Sequence, residues 1–219
     1  MGTRVDAVPR IECFIDVFHH TQERAQIRPD ITPAELVQAI IDEFAGEISY
    51  LGRNASAYTI WLMEEERELD PGQRVDAQIR PGVRLALRER EKPRPPGAHL
   101  LARPFYLREI NHGYIYKVPW LPAIIGRPDP SLAENELVLV DLHDLPNGAR
   151  VSRRHVRLLE RDGEIFVERC ARNSVTLLRA EGGEESLENH LLPLHPGDKI
   201  RLDRSQILLE ALFPEPRAA

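Results

Sequence analysis

Cysteine is scarce in this sequence: only Cys13 and Cys170 occur among 219 residues. Two cysteines are too few for a disulfide scaffold in a chain of this length. Each lies in a segment with strand-like alternation, where a cysteine is most often a small buried hydrophobic side chain. We therefore expect two buried free thiols and a reducing, cytoplasmic location.

An excess of positive charge is also missing. Lys and Arg number 29 against 35 Asp and Glu, which gives a net charge of -6. Non-specific binding to nucleic acid needs a field of Lys and Arg that releases counterions, so we expect no nucleic-acid partner. No apolar stretch has the length of a membrane span, and residues 1–10 lack the hydrophobic region of a secretion signal. We therefore expect no membrane insertion.

Motifs for metals and cofactors are sparse as well. No glycine-rich nucleotide-binding loop is present, so we expect no cofactor. His19, His20 and Glu23 resemble a metal-ligand group, but no second group of ligands follows at zinc-like spacing. Paired histidines in a polar turn are usually solvated, and we expect no metal site.

Ser152 and His155, together with Asp141 or Asp144, could be interpreted as a hydrolase triad. A serine nucleophile needs an oriented base and an oxyanion hole. Neither a Gly-x-Ser-x-Gly motif nor the start of a helix accompanies Ser152. We expect a protein without enzymatic activity.

Proline is abundant, with 18 residues, and it marks a boundary in the chain. Residues 91–102 combine charged side chains with three prolines and a glycine, a composition that disfavours helix and central strand. The sequence therefore predicts a stiff linker at 91–102. It separates a first domain at residues 10–90 from a second domain at 103–213.

The first domain contains a clear helix signal. Thr32 stands three residues before Glu35, and Pro33 occupies the first helical position. This is a capping box, and it predicts a helix from about Pro33 to Phe44.

Strand-like runs surround that helix in the order ββαβ, followed by a turn-rich crossing and a last strand, with a polar turn predicted at His19–Arg24. One helix over such a mixed sheet is an α+β arrangement of the β-grasp type. The pattern resembles a ubiquitin-like domain, most closely the small bacterial kind associated with type VII secretion. The resemblance implies a docking module.

The second domain consists of short apolar runs separated by turn signals. These signals are Asn111-His112-Gly113, Asn147-Gly148, Asp162-Gly163 and Pro196-Gly197-Asp198. Turns of this kind predict antiparallel pairing of neighbouring strands. We expect an all-β antiparallel sandwich.

Four short motifs follow one another along this second domain. They are Ile125-Gly126-Arg127, Ser152-Arg153-Arg154-His155, Asn173-Ser174 and Leu194-His195-Pro196-Gly197-Asp198. In this order, with strands between them, they resemble a forkhead-associated (FHA) domain. The resemblance implies recognition of phosphothreonine peptides.

The chemistry of phosphothreonine explains the residue types in these motifs. A phosphate group with nearly two negative charges needs a fixed guanidinium, a hydroxyl donor and nearby amides on a rigid sheet edge. Arg127 would supply the charge, and Gly126 before it permits a close approach of backbone. Ser152 would donate both its hydroxyl and its main-chain amide.

The family resemblance implies further roles. Arg153 would add a second phosphate contact, and Asn173 would hold the backbone of the bound peptide. Arg172 would touch the phosphate or the peptide. His155 would be structural, because in the family this histidine bonds within the loop that presents Ser152.

Five arginines between residues 150 and 161 would attract an anionic ligand, although we interpret Arg157 and Arg161 individually as part of a solvated strand face. The sequence thus predicts a non-enzymatic adaptor that binds a Thr-phosphorylated protein or peptide. A Ser/Thr kinase or its substrate, or a secretion-system component, is the kind of partner implied. The alternative is a structural scaffold that binds its partner without phosphate.

Overall fold

The computed structural model describes residues 10–188 and 190–214, and the described chain divides into two compact units between Glu91 and Lys92. Each unit has a buried apolar core of its own. Among the described residues, no helix has the length and apolar content needed to cross a membrane. The prediction about a secretion signal concerns residues 1–10, nearly all of which lie outside the described part.

The first unit is a mixed five-stranded sheet with one helix. Its elements are β1 (Ile11–Val17), β2 (His20–Ile27), α1 (Pro33–Phe44), β3 (Tyr58–Leu62), β4 (Arg67–Glu68) and β5 (Arg84–Glu89). The strand order is β2-β1-β5-β3-β4, in which β1 and β5 run parallel and the other pairs run antiparallel. The parallel pair brings the first and last strands together at the centre of the sheet.

The helix α1 has the bounds that the sequence predicts. Thr32 Oγ1 accepts a hydrogen bond from the Glu35 backbone N–H at 3.3 Å, and the Glu35 carboxylate accepts from the Thr32 N–H at 2.7 Å. This reciprocal pair confirms the capping box. Leu36, Ile40 and Ile41 are buried, because they recur on one face of the helix.

The predicted turn at His19–Arg24 is wrong, because residues 20–27 form strand β2 and the turn covers only the residues just before it. Most of β2 is polar and exposed because it lies at the edge of the sheet and pairs only with β1. Polar edge strands lack the apolar alternation by which strands are detected. Cys13 on β1 is buried as predicted.

In the second unit, the described residues form eleven strands in two sheets. These are β6 (His99–Glu109), β7 (Ile115–Leu121), β8 (Ala123–Gly126), β9 (Val138–Asp141), β10 (Arg154–Arg161), β11 (Glu164–Arg169), β12 (Val175–Leu178), β13 (Glu184–Ser186), β14 (Leu192–Pro193), β15 (Lys199–Leu202) and β16 (Ile207–Leu212). One sheet has the order β14-β11-β10-β8-β9 and the other the order β13-β12-β15-β16-β6-β7.

Both sheets contribute to a single core, so the second unit is a β-sandwich. Leu107 and Leu209 come from the six-stranded sheet, and Ile125, Val156 and Leu158 come from the five-stranded sheet; all are fully buried. Along β16, the buried Ile207, Leu209 and Ala211 alternate with less buried residues, as is expected of a strand that has one face on the core. This core fixes the strand ends that carry the candidate site.

The expectation of an entirely antiparallel sandwich is wrong at one place. Strand β9 runs parallel to β8, with Ile125 opposite Val140. A tight hairpin cannot join parallel strands. The connection between Gly126 and Val138 is long, contains Pro128 and Pro130, and allows the chain to return in the same direction.

The sequence predicts a hairpin turn at Asn147-Gly148, but in the structure these residues begin a short 3₁₀ helix. A Cβ atom on Gly148 would lie 2.1 Å from the Leu142 carbonyl oxygen. The glycine is needed for this close approach of two backbones. In contrast, Asp162-Gly163 joins β10 to β11 as predicted, with positive φ angles at both residues.

Part of the predicted linker is built into the second unit. Strand β6 begins at His99, Pro95 and Ala98 are buried, and Lys92 Nζ donates a hydrogen bond to the Leu139 carbonyl at 3.1 Å. Burial lowers the pKa of Lys92, and the nearby Asp141 partly offsets this. Proline disfavours helix and central strand, but it does not prevent an extended segment from packing on a core.

Candidate functional site

The candidate site begins where strand β8 ends at Gly126. A Cβ atom on this glycine would lie 2.2 Å from the Arg153 carbonyl oxygen and 3.0 Å from that of Ser152. No side chain fits there, so Gly126 permits the segment before β10 to lie directly against the end of β8. The Arg127 N–H donates to the Arg153 carbonyl at 3.1 Å and joins the two segments.

Arg127 is half-buried and held at one point of its guanidinium group. Its Nε donates a hydrogen bond to the Val151 carbonyl at 2.6 Å. Among the described residues, Arg127 forms no ion pair with a carboxylate. A guanidinium that is tethered by Nε keeps its terminal nitrogens available as a planar fork for an anion.

Ser152 and Asn173 meet beside this arginine. Asn173 lies between β11 and β12, and its Nδ2 donates to Ser152 Oγ at 3.0 Å. Because Ser152 Oγ is the acceptor in this bond, its own proton can be donated elsewhere. Three separate chain segments, those of Arg127, Ser152 and Asn173, are thus joined by direct hydrogen bonds.

His155 lies beneath Ser152 and is completely buried. Its Nδ1 accepts a hydrogen bond from the Ser152 backbone N–H at 3.2 Å. Burial lowers the pKa of His155 to about 4, and the effects of Asp203 and of the Ser174 backbone raise it only in part. The imidazole is therefore neutral near pH 7, with its proton on Nε2, and acts as a support for the loop.

This bond overturns one expectation about Ser152. From the sequence we expect its main-chain amide to bind the phosphate, but in the structure that amide donates to His155. The hydroxyl is the group of Ser152 that is available to a ligand. A backbone amide makes one good hydrogen bond, and a buried imidazole acceptor satisfies it within the fold.

Arg153 is exposed and carries a carboxylate partner of its own. Its Nε lies 2.7 Å from Asp129 Oδ2. The sequence predicts a phosphate contact for Arg153 and contains no signal that pairs it with Asp129. Arg172 lies next to Asn173, is exposed, and forms no ion pair within the described part of the chain.

Arg154 is a residue whose role the sequence analysis missed. Its guanidinium group donates to backbone carbonyls of the segment that follows β8, among them those of Arg127 and Ala133, at 3.3 and 3.1 Å. It also donates to the Arg153 carbonyl at 3.1 Å. Arg154 therefore braces the loop that carries Arg127. The only signal in the sequence was its place beside Ser152 in a basic segment.

Two other expectations for this region need correction. Cys170 is exposed and follows β11, because the strand ends at Arg169, one residue earlier. Arg157 is not simply solvated, since its guanidinium pairs with Glu134 at 2.5 Å and lies 3.8 Å from Glu168. Arg157 belongs to the internal charge network of the sandwich and is not free for a ligand.

The turn at Pro196-Gly197-Asp198 contains a buried carboxylate. Asp198 is 2% exposed; its Oδ2 accepts from Arg179 Nη1 at 2.7 Å and its Oδ1 from the Ala180 N–H at 3.0 Å. Burial alone would raise the pKa of Asp198, but the amides of His195 and Ala180 and the Arg179 guanidinium together hold it below its usual value. This turn is a structural element of the fold.

Comparison with solved structures returns FHA domains over about half of the chain. The FHA domain of human APLF in complex with a bisphospho peptide is 24% identical, with a TM-score of 0.38 and coverage of 51% of this chain and 99% of that chain. Mycobacterium tuberculosis EmbR in complex with a low affinity phosphopeptide is 22% identical, with a TM-score of 0.38 and coverage of 53% and 26%.

The solution structure of the FHA domain of an Arabidopsis thaliana hypothetical protein is 16% identical, with a TM-score of 0.37 and coverage of 57% of this chain and 99% of that chain. No protein-family model and no curated protein matches the chain.

Proposed function

We propose that the chain is a phosphothreonine-dependent protein-binding adaptor whose second unit is an FHA domain. The observation that carries this proposal is the junction of Arg127, Ser152 and Asn173. Arg127 is tethered to Val151 and lacks a carboxylate among its described contacts, while Ser152 lies in the segment hydrogen-bonded to it. A fixed cation beside a free hydroxyl proton suits a phosphate group.

Each member of the site has a distinct chemical role in this proposal. The terminal nitrogens of Arg127 would bind two phosphate oxygens, and the Ser152 hydroxyl would donate to a third. Arg153 and Arg172 would add charge at the rim. Asn173 would hold the peptide backbone, and Gly126 and His155 would support the loops from below.

The geometry at Ser152 supports binding rather than catalysis. A nucleophilic serine needs a base that accepts its hydroxyl proton. His155 accepts from the Ser152 backbone N–H, and Ser152 Oγ accepts from Asn173. His155 Nδ1 is therefore occupied by the backbone and is not bonded to the hydroxyl. We propose no enzymatic role for these residues.

The first unit would act as a docking module. Its strand order β2-β1-β5-β3-β4, with a central parallel pair and one packed helix, supports the β-grasp, ubiquitin-like assignment. The predicted boundaries, residues 10–90, 91–102 and 103–213, remain part of this proposal. A Ser/Thr kinase, its substrate or a secretion-system component is the class of partner that it implies.

One observation favours a second candidate function, a scaffold that binds its partner without phosphate. Arg153 is already paired with Asp129, which reduces the positive charge available at the site. A scaffold of this kind would keep its partner after phosphatase treatment, whereas the proposed adaptor would release it.

The decisive experiment is a screen of the full chain against a phosphothreonine peptide library, with the unphosphorylated library alongside. We expect selection of phosphorylated peptides in the micromolar range, which corresponds to about -8 kcal/mol, and weaker binding at higher salt. Equal recovery of both libraries would contradict the adaptor and support the scaffold.

A further inference from the structure

Two arginines of the candidate site, Arg127 and Arg153, each have Nε close to an oxygen atom of the fold. Arg127 Nε donates a hydrogen bond to the Val151 carbonyl at 2.6 Å, and Arg153 Nε lies 2.7 Å from Asp129 Oδ2 in an ion pair. Within residues 10–188 and 190–214, the terminal nitrogens of neither guanidinium have a described partner. A tether at Nε leaves the planar fork of an arginine for a ligand.

Asp129 is itself firmly placed. Its Oδ1 accepts hydrogen bonds from the Ser131 N–H at 3.0 Å and the Ser131 hydroxyl at 2.6 Å, and its own N–H donates to Asn135 at 2.7 Å. These Ser131 bonds, and to a smaller extent the charges of Arg153 and Arg154, keep the pKa of Asp129 below its usual value despite partial burial. The carboxylate is therefore a fixed, ionised anchor.

Arg153 is the more exposed partner of the pair. Its side chain is 57% exposed, whereas that of Asp129 is 19% exposed. An exposed arginine that must be immobilised by a ligand loses side-chain entropy on binding. An anchor that fixes the arginine beforehand removes part of this loss.

We propose that Asp129 is a positioning residue of the phosphopeptide site, which holds Arg153 by Nε so that its terminal nitrogens bind the phosphate. This inference rests on the proposed function and deepens it. Asp129 acts through Arg153 and does not touch the peptide. Its negative charge lowers the long-range attraction for the phosphate, and the gain in orientation outweighs this loss.

A double-mutant cycle tests the proposal in the full chain. The variants are Asp129→Asn, Arg153→Ala and the double variant, and the ligand is a phosphothreonine peptide selected by the wild type, with its unphosphorylated form alongside. Asparagine keeps an amide oxygen for Ser131 while it removes the charge. Asp162→Asn, at an exposed hairpin position, is the matched control.

We expect Asp129→Asn and Arg153→Ala each to weaken binding about three- to tenfold. The double variant should be no weaker than Arg153→Ala alone, because Asp129 acts only through Arg153. The control should bind like the wild type. Thermal unfolding of each variant separates a lost contact from a disrupted loop.

Three results would overturn the proposal. Tighter binding by Asp129→Asn would show that Asp129 competes with the phosphate for Arg153. Unchanged binding by Arg153→Ala would show that Arg153 does not contact the ligand. A loss from Asp129→Asn that persists without Arg153 would assign Asp129 to the structure of the loop. Failure of the proposed function itself is distinct, because the wild type would then not distinguish the two peptides.

Discussion

Arg179 and Arg127 both belong to the sandwich, yet their surroundings are opposite. Arg179 is 17% exposed and donates to Asp198 at 2.7 Å, to Glu185 at 2.5 Å and to the Pro193 carbonyl at 2.7 Å. The side chain of Arg127 has one described hydrogen bond, to the Val151 carbonyl, and no described carboxylate partner. The donors of Arg179 are used within the fold, whereas most of those of Arg127 are not.

The contrast separates an arginine that stabilises a fold from one that is suited to a ligand. Both are fixed, but of the two only Arg179 is described in ion pairs with carboxylates, the buried Asp198 and the exposed Glu185. Loss of Arg179 should therefore affect stability, and loss of Arg127 should affect binding. The predictions below test this division, beginning with the largest expected effect.

Arg179→Leu should lower the free energy of unfolding by about 3 kcal/mol or more. The substitution leaves the 2% exposed Asp198 carboxylate without its cation, and an uncompensated buried charge is strongly destabilising. Urea unfolding measures the loss. In the double variant with Asp198→Asn, part of the lost free energy of unfolding should be recovered. If none is recovered, Arg179 and Asp198 do not act as a coupled pair.

Protonation of His155 should destabilise the loop beneath Ser152. Its pKa is lowered to about 4 from the usual 6.5, so the unfolded chain binds the proton more readily than the folded chain. The contribution of neutral His155 to the free energy of unfolding is fully present above pH 6.5. It is lost as the pH falls from 6.5 towards 4, by up to about 3 kcal/mol.

Urea unfolding at about pH 7 and about pH 5, with nuclear magnetic resonance of the imidazole, measures this effect. The ring of His155 should stay neutral at the lower pH. An imidazole that titrates near its ordinary pKa of about 6.5 would contradict the burial described above.

Arg127→Ala should weaken binding of a selected phosphothreonine peptide by about a hundredfold, since two charge-assisted hydrogen bonds are lost. The free energy of unfolding should change little, in contrast to Arg179→Leu. Isothermal titration calorimetry gives the affinity. Arg161→Ala, which removes an exposed arginine of β10, is the matched charge control and should bind normally.

If Arg161→Ala weakened binding as much as Arg127→Ala, the loss would reflect only a general reduction of positive charge. The proposed difference in role between Arg127 and Arg179 would then be wrong.

Ser152→Ala should have the smallest effect, about a tenfold loss of affinity, because one hydroxyl donor is removed and the Asn173 amide loses its acceptor. Ser186→Ala, at an exposed position of β13, is the control. Binding to the unphosphorylated peptide should not change in either variant. A change there would place Ser152 in contact with the peptide rather than with the phosphate.

The parts of the fold that the sequence predicts well depend on local interactions. The helix Pro33–Phe44 is confirmed because its capping box joins residues three positions apart. The hairpin at Asp162-Gly163 is confirmed for a similar reason. The full extent of the edge strand β2, the parallel pair β8–β9 and the exposed Cys170 were not predicted, because each depends on tertiary contacts.

The candidate site shows the same division. The motifs at Arg127, Ser152 and Asn173 are visible in the sequence, and the structure joins them by hydrogen bonds. The residues that pair with the groups of these motifs cannot be identified from the sequence. Asp129 pairs with Arg153 from a neighbouring loop, and the Ser152 amide is occupied by His155.

The sequence by itself thus determined the helix, most strands and the residue types that suit a phosphate, because caps, alternation and turn signals act over a few residues. Only the tertiary structure decided which arginines keep N–H donors available for a ligand. That depends on carboxylates and carbonyls brought close by strand pairing, and Coulomb and hydrogen-bond energies fall steeply over a few ångströms. Arg179 and Arg127 are the same residue type in the sequence. They differ because, among the described contacts, the fold places carboxylates beside Arg179 and none beside Arg127.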